Sequence, residues 1–275
     1  MIELFDLSTE DATPFLNMIT AEGQRFLSGD AGAAVGISEE GKPVGAIVCE
    51  ISDAFLARIV SLFVKEDRRR KGFGTELVYQ ALNLLLRKES ICRLDVRFTS
   101  DSENPGIYEF FDAMSFSMSQ DETHGAYSLS LLDAVEVPVL KKASSQGITP
   151  YARVTRPVKN KIFEAHPMLL RCEIEESISC VADAGKDDVE SHDCLIFTKE
   201  DNTLVMVWAE STNDKLDLVK MLKYALDKAV EKYGTDISVR IPYINEASKK
   251  LITKMMGEKA VRTESVWDAE LSVMV

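Results

Sequence analysis

VKEDRRRKGFGTELVYQAL, running from Val64 to Leu82, is the stretch on which the reading of this chain turns. Arg68, Arg69, Arg70 and Lys71 crowd against Gly72 and Gly74, and an apolar run of helical length follows without a break. Where a strand ends and a helix begins, the first four N–H groups of the helix have no internal acceptor and point out along the positive end of its dipole. Glycines there allow positive φ and leave no Cβ in the path of a bulky anion. Arg69 to Gly74 therefore read as a cradle of main-chain donors for a pyrophosphate. The plainer alternative is a tight turn with solvated basic side chains. Neither G-x-G-x-x-G nor G-x-x-x-x-G-K-[ST] occurs in this loop, which weakens a dinucleotide or nucleoside-triphosphate reading.

Working outward, ARIVSLFV (Ala57 to Val64) is rich in β-branched and aromatic residues and predicts a buried strand. Before it, AAVGISEEGKPVGAIVCEI alternates around a Glu-Glu-Gly-Lys turn and predicts a hairpin. STEDATPFLNMI predicts a helix capped by Thr9 or Thr13 with Pro14 in its first turn. After the glycines, Leu77, Val78, Ala81, Leu82 and Leu85 form the stripe of an amphipathic helix ending near Lys88. ICRLDVRF (Ile91 to Phe98) reads as a strand, NPGIYEFFDAMSF (Asn104 to Phe116) as a loop and short helix, and AYSLSLL as a closing strand. Strand, crossover helix, strand implies a parallel pair.

The second half repeats this series. TLVMVWAES (Thr203 to Ser211) reads as a strand, KLDLVKMLKYALDKAVEKYG (Lys215 to Gly234) as a helix, DISVRIPYIN (Asp236 to Asn245) as a strand, EASKKLITKMMG as a helix and VRTESVWDAEL as a closing strand. Val96-Arg97-Phe98 and Val239-Arg240-Ile241 hold the same place in the two series, 143 residues apart. Two related domains in tandem follow, residues 1–140 and 150–275, joined near KKASSQGITP. LIFTKEDNTLVMVW fits a hairpin equally well, which would leave the second domain a strand short. In the second copy the glycine loop is replaced by STNDKLD (Ser211 to Asp217), with no glycine, no arginine and two aspartates, and no pyrophosphate is expected there.

Composition narrows the partners. With 275 residues, 45% of them hydrophobic, the chain is long enough for two cores. No apolar run reaches membrane-spanning length and MIELFDLSTED lacks the features of a secretory signal, so a cytoplasmic protein is expected. Five scattered cysteines without a C-x-x-C pair argue against a disulfide framework and a zinc site, and no metal is expected. A formal net charge of -13 speaks against nucleic acid or an anionic membrane and mildly favours a cationic substrate.

Position by position, Val64-Lys65-Glu66-Asp67-Arg68-Arg69-Arg70-Lys71-Gly72-Phe73-Gly74 matches V-x-x-x-x-[QR]-x-x-G-x-[GA]. In that signature, and in the element order over most of residues 1–135, the chain resembles the Gcn5-related N-acetyltransferases, or GNAT family. The resemblance implies an α/β fold of two tandem GNAT-like domains, the second degenerate. Each would be a mostly antiparallel twisted sheet with a central parallel pair and flanking helices. It implies an acyl-CoA-dependent N-acyltransferase using acetyl-CoA or another acyl-CoA. The pyrophosphate would lie on the amides of Arg69, Arg70, Lys71, Gly72, Phe73, Gly74 and Thr75, and the pantetheine arm beside Leu62, Phe63 and Val64. Asn104 resembles the family's CoA-contacting asparagine, and the N–H of Phe63 or Val64 would polarise the thioester carbonyl.

Side-chain roles carry over less well. The family's general-base position is Arg58 here, leaving Glu50, Glu66 and Asp67 as nearby replacements beside a water relay. The family's acid tyrosine falls on Phe111, which has no proton to give; Tyr108, three residues earlier on the same helical face, is the substitute. His192-Asp193-Cys194 is set aside, because consecutive residues do not face one another. Two readings result: an acetyltransferase acting on a small-molecule or protein amine, as a pseudo-dimeric monomer or a homodimer, and a catalytically weak CoA-binding sensor or interaction protein.

Overall fold

The hairpin read at residues 33–51 forms as β2 (Gly32–Glu39) and β3 (Lys42–Ile51), after an edge strand β1 (Ile2–Asp6). Glu40 and Gly41 turn it with φ 53° and 72°, the paired left-handed residues that a two-residue hairpin needs to match strand twist. β4 (Leu56–Val64), α1 (Phe73–Lys88), β5 (Arg93–Asp101) and α2 (Gly106–Ala113) follow. This computed structural model describes residues 1–8, 11–27, 31–88, 91–101, 106–182, 185, 192–212 and 215–273. The helix expected near Thr13 is a 3-10 turn, Thr13–Met18, and its first N–H is taken by Asp11 Oδ1 at 2.9 Å; Thr9 lies outside the described residues.

The chain divides into two units, Met1–Asp121 with Val266–Val275, and Glu122–Ser265. In the first, β1 to β5 lie side by side in chain order, β4 and β5 parallel and the others antiparallel. One sheet face packs Ile37, Ile47, Ile59, Leu94 and Val96 against Leu77, Ala81 and Leu85 of α1 and Phe111 of α2. The other packs Ala34, Ala46 and Val48 against Phe15, Met18 and Ile19.

The second unit begins within β6 (Ser117–Ser130). It continues through the short helices α3 (Leu131–Val135) and α4 (Pro138–Lys141), β7 (Thr149–Pro150), α5 (Arg156–Ala165), β8 (Cys180–Val181), β9 (Cys194–Glu200), β10 (Thr203–Glu210), α6 (Lys215–Tyr233), β11 (Ser238–Tyr243) and α7 (Glu246–Met256). The last strand is β12 (Val261–Ser272). Strand order is β6-β11-β10-β9-β8-β7, with β10 and β11 the parallel pair. LIFTKEDNTLVMVW does fold as a hairpin, β9 to β10, turning at Asp201 with φ 43°. The second unit is not left short by it, because β8 and β7, two residues each, supply the outer strands.

Both units thus have the mixed sheet with a central parallel pair that was expected. Their boundaries differ from 1–140 and 150–275 because the closing strands are exchanged. β6 pairs with β11 through Gly125–Ser130, whereas β12 returns from the far end of the chain to lie next to β5. Sequence adjacency cannot reveal which parallel pair a closing strand will join. Among the described residues no helix is long and apolar enough to cross a membrane.

Candidate functional site

The site begins where β4 and β5 part. Their parallel ladder joins Leu56–Ile59 to Arg93–Val96 and goes no further, although β4 runs on to Val64 and β5 to Asp101. At that point β4 carries a bulge: Val48 faces Ser61 and Cys49 faces Ile59, so Val60 is unpaired and the strand turns away. Lys65 N–H donates to Val44 O at 2.9 Å. Backbone groups alternate sides along an antiparallel strand, which aims the Phe63 N–H at β3 as well. The Leu62 and Val64 N–H groups therefore face the opening between β4 and β5. On the same side Arg69 Nε donates to Val64 O at 3.2 Å.

The signature loop is held by its own charges. Arg68 Nε donates to Glu39 Oε2 and Nη1 to Asp67 Oδ2, each at 2.7 Å. Arg69 N–H closes the 3-10 turn on Glu66 O at 3.1 Å, which occupies the first amide expected of the cradle. Arg70 and Gly72 then take φ 60° and 84°. The first bond of α1 runs from Glu76 N–H to Gly72 O, 3.0 Å, so the N–H groups from Gly72 to Thr75 have no acceptor within the helix. A Cβ on Gly72 would meet nothing within 4 Å, whereas one on Gly74 would lie 3.1 Å from the Phe110 ring of α2. Phe73 is buried in the core beneath. Arg70 also reaches α2, through Glu109 at 2.8 Å. Three of the four basic side chains therefore shape the loop, and Lys71 is exposed.

The candidate catalytic side chains are spread around this opening. Glu66 and Asp67 are exposed members of the 3-10 turn. Glu50 lies 3.5 Å from Arg58, its neighbour across the β3–β4 ladder. Phe111 is 1% exposed, with its ring 5.1, 5.1 and 5.0 Å from those of Phe98, Phe110 and Phe116. Tyr108 is half-buried, its ring edge-on to Trp267 at 4.7 Å. Asn104 lies outside the described residues.

The sequence reading passed over Asp95. Leu94, Val96 and Phe98 pack into the core with α1, so Asp95 and Arg97 alternate onto the opposite sheet face. A cavity of about 530 Å³ opens there, lined by Arg58, Asp95, Arg97, Ser119, Asp268 and Glu270 among others. Asp95 stands directly across the parallel ladder from Arg58. Burial raises its carboxyl above the usual carboxylate range; Arg93 opposes that shift, Glu270 adds to it and Arg58 opposes it. Its Oδ1 is sealed from solvent and accepts no aligned hydrogen bond among the described residues, with Arg93 Nε 3.2 Å away. Arg97 is spent on Asp268, at 2.9 Å, and on Asp121.

The second unit keeps the architecture and loses the loop. Its parallel ladder also stops early, at Val205 and Arg240, and β10 is bulged at Val207. Only residues 211–214 separate β10 from α6, against 65–72 between β4 and α1; 213 and 214 lie outside the described residues. At the end of β10, Glu210 meets His166 Nε2 at 2.6 Å, and the His166 ring lies tilted against Trp208, centroids 4.2 Å apart. In the first turn of α6 the buried Asp217 pairs with Lys220 at 2.6 Å. Carboxylates thus stand where an anion would have to bind.

Residues 2–116 match the family model described as Acetyltransferase (GNAT) family. No curated protein matches the chain. Among solved structures, a tandem GNAT protein from the clavulanic acid biosynthesis pathway, determined without acetyl-CoA, superposes with a TM-score of 0.55 at 15% identity, covering 100% of this chain and 99% of that one. A conserved protein of unknown function from Enterococcus faecalis V583 gives 0.50 at 14% identity, over 99% of this chain and 72% of that one. A GNAT family acetyltransferase from Elizabethkingia anophelis, with acetyl-CoA bound, gives 0.36 at 16% identity, over 43% of this chain and 77% of that one.

Proposed function

Residues 2–116 match the acetyltransferase (GNAT) family model, and on that premise we propose that the chain moves an acetyl group from acetyl-CoA to a primary amine of a small molecule or protein by direct attack in one ternary complex. The observation that carries this reading is the pairing of a parted β4–β5 edge with an anion-ready helix start. Leu62 and Val64 N–H face the gap, and the amides from Gly72 to Thr75 have no helical acceptor. Acetyl-CoA supplies the activated acyl thioester. Arg70 to Thr75 hold its pyrophosphate, Arg69 having given its N–H to the 3-10 turn. One of the Leu62 and Val64 amides, which lie too far apart along the strand to share an acceptor, serves as donor to the oxygen that gains negative charge as the amine adds, the kind of preorganised stabilisation that contributes most in acyl transfer. Phe63, whose N–H faces β3, contributes backbone to the groove but no such donor.

No acid is assigned for the departing sulfur. Phe111 is sealed among aromatic rings, and Tyr108 packs on Trp267. The second domain, without the eight-residue loop, is a degenerate GNAT-like domain that holds no CoA.

A second reading, a CoA-binding sensor with weak chemistry, draws on Arg58 and Phe111 at the family's two side-chain positions. Amine-dependent release of CoA thiol from acetyl-CoA separates the two. Release above the thioester hydrolysis rate supports transfer, and tight acetyl-CoA binding with no amine in a broad panel raising that rate supports the sensor.

A further inference from the structure

We propose that the cavity at Arg58, Asp95, Asp268 and Glu270 receives the acceptor as a small primary ammonium, and that Asp95 takes the proton this ammonium must lose before it attacks. This rests on the acyl-transfer reading above. Position supports it first. Asp95 is one residue short of Val96, where the β4–β5 ladder ends, and the gap faced by the Leu62 and Val64 amides opens just beyond.

Charge supports it next. The wall carries three carboxylates, Asp95, Asp268 and Glu270, against Arg58 and Arg97, and Arg97 is already clamped by Asp268 and Asp121. Arg93 Nε, 3.2 Å from Asp95 Oδ1 and 3.7 Å from Glu270, offsets part of this negative charge without meeting that buried oxygen as an aligned donor, so the oxygen has room for one, and an ammonium brings three. Arg58, 51% exposed and 3.5 Å from Glu50, offers no base on this rung of β4, and Asp95 places a carboxylate on the same rung from the neighbouring strand.

The step balances. An ammonium N–H bond breaks and its proton passes, directly or through one water, to the Asp95 carboxylate, which becomes the neutral acid. The freed lone pair forms the C–N bond to the thioester carbonyl carbon, the C–S bond breaks with sulfur leaving as the thiolate, and the second proton on the adduct's nitrogen passes to that thiolate or to water, leaving a neutral amide and CoA. Burial and Glu270 make Asp95 a better proton acceptor than a solvated carboxylate, against Arg93 and Arg58. The other charges facing this wall are Arg97 on β5, Asp268 on β12, Glu50 on β3 and Asp121 on β6.

The test uses the full chain and 1,4-diaminobutane as probe. Its affinity for the CoA-loaded protein is measured by calorimetry, and thiol release from acetyl-CoA is followed in parallel, for parent, Asp95→Asn and Glu270→Gln. Asp95→Asn should keep acetyl-CoA affinity and lose diamine affinity. It should also lower turnover by roughly 10²-fold or more, the contribution expected of a general base, with loss of the acidic limb of the pH profile. Glu270 is half-exposed on β12, so Glu270→Gln, which should weaken diamine affinity, covers the case in which Asp95→Asn fails to fold. Diamine binding and turnover unchanged in both variants, or no diamine binding to the parent complex, would overturn the assignment. Unchanged turnover in Asp95→Asn sinks this site and leaves acyl transfer standing. Asp95-dependent diamine binding with no thiol release supports the ammonium site but overturns the role of Asp95 as base for this amine, and the acyl-transfer reading falls only if no amine of the broad panel releases thiol either.

Discussion

Replacing Gly72 by valine tests the loop with the least collateral damage. A Cβ at this position meets nothing within 4 Å, so the change creates no clash, and its whole effect comes from φ 84°. A β-branched residue held there costs about 1–3 kcal/mol. The backbone can escape that strain by rotating Gly72 out of the left-handed region, which redirects the peptides leading into α1. If two charge-assisted N–H contacts to the pyrophosphate are lost, at about 1.5–3 kcal/mol each, acetyl-CoA binds at least about 10²-fold more weakly. The fold loses little by comparison, and the thermal midpoint should drop by roughly 2–4 °C for each kcal/mol of strain. Calorimetric titration with acetyl-CoA, set beside thermal unfolding, reads both. A variant with a lowered midpoint and parental acetyl-CoA affinity would refute the cradle and make Gly72 a turn residue only.

Three further outcomes are expected. Glu109→Gln releases Arg70 from its 2.8 Å pair and should tighten acetyl-CoA by about two- to fivefold at low salt, the worth of an exposed pair, with the gain gone near 1 M salt in the same titration. Tyr108→Phe keeps the Trp267 contact and should turn over like the parent in the thiol-release assay, whereas a loss of about 10²-fold or more would make Tyr108 the general acid; Phe111→Tyr, burying a hydroxyl without a partner, should cost about 1–3 kcal/mol in urea unfolding. Burial raises the Glu175 carboxyl, but hydrogen bonds from Lys232, Ser177 and Tyr233 outweigh it and hold it at about 2. Because this folded value is depressed, the stabilisation is present above about pH 4.3, the usual glutamate value, and is lost as pH falls toward 2; urea midpoints should decline through that window in the parent and less in Glu175→Gln.

The elements that could be read from the sequence are those whose signal is local. The Leu77-Val78-Ala81-Leu82-Leu85 stripe gave α1, the Glu-Glu-Gly-Lys turn gave the β2–β3 hairpin, and Gly72 gave the left-handed turn into α1. What stayed hidden depends on register and distance. The exchange of β6 and β12 is a choice between two similar parallel pairs, and nothing in either strand states which it joins. Asp95 looked like one polar residue in an alternating strand until the ladder set it opposite Arg58 and β12 brought Asp268 and Glu270 beside it. The choice between the Phe63 and Val64 amides needed one hydrogen bond, Lys65 to Val44, to fix which side of β4 each faces. The basic side chains misled by their number, since Arg68, Arg69 and Arg70 are largely occupied within the loop and α2.

The central claim, one acyl-CoA site built on residues 62–75 and none in the second unit, is tested most directly by the stoichiometry of acetyl-CoA binding to the intact chain in calorimetry. One site per chain, lost in Gly72→Val, is the predicted result. Two sites per chain, or one site that survives Gly72→Val at full affinity, would contradict it.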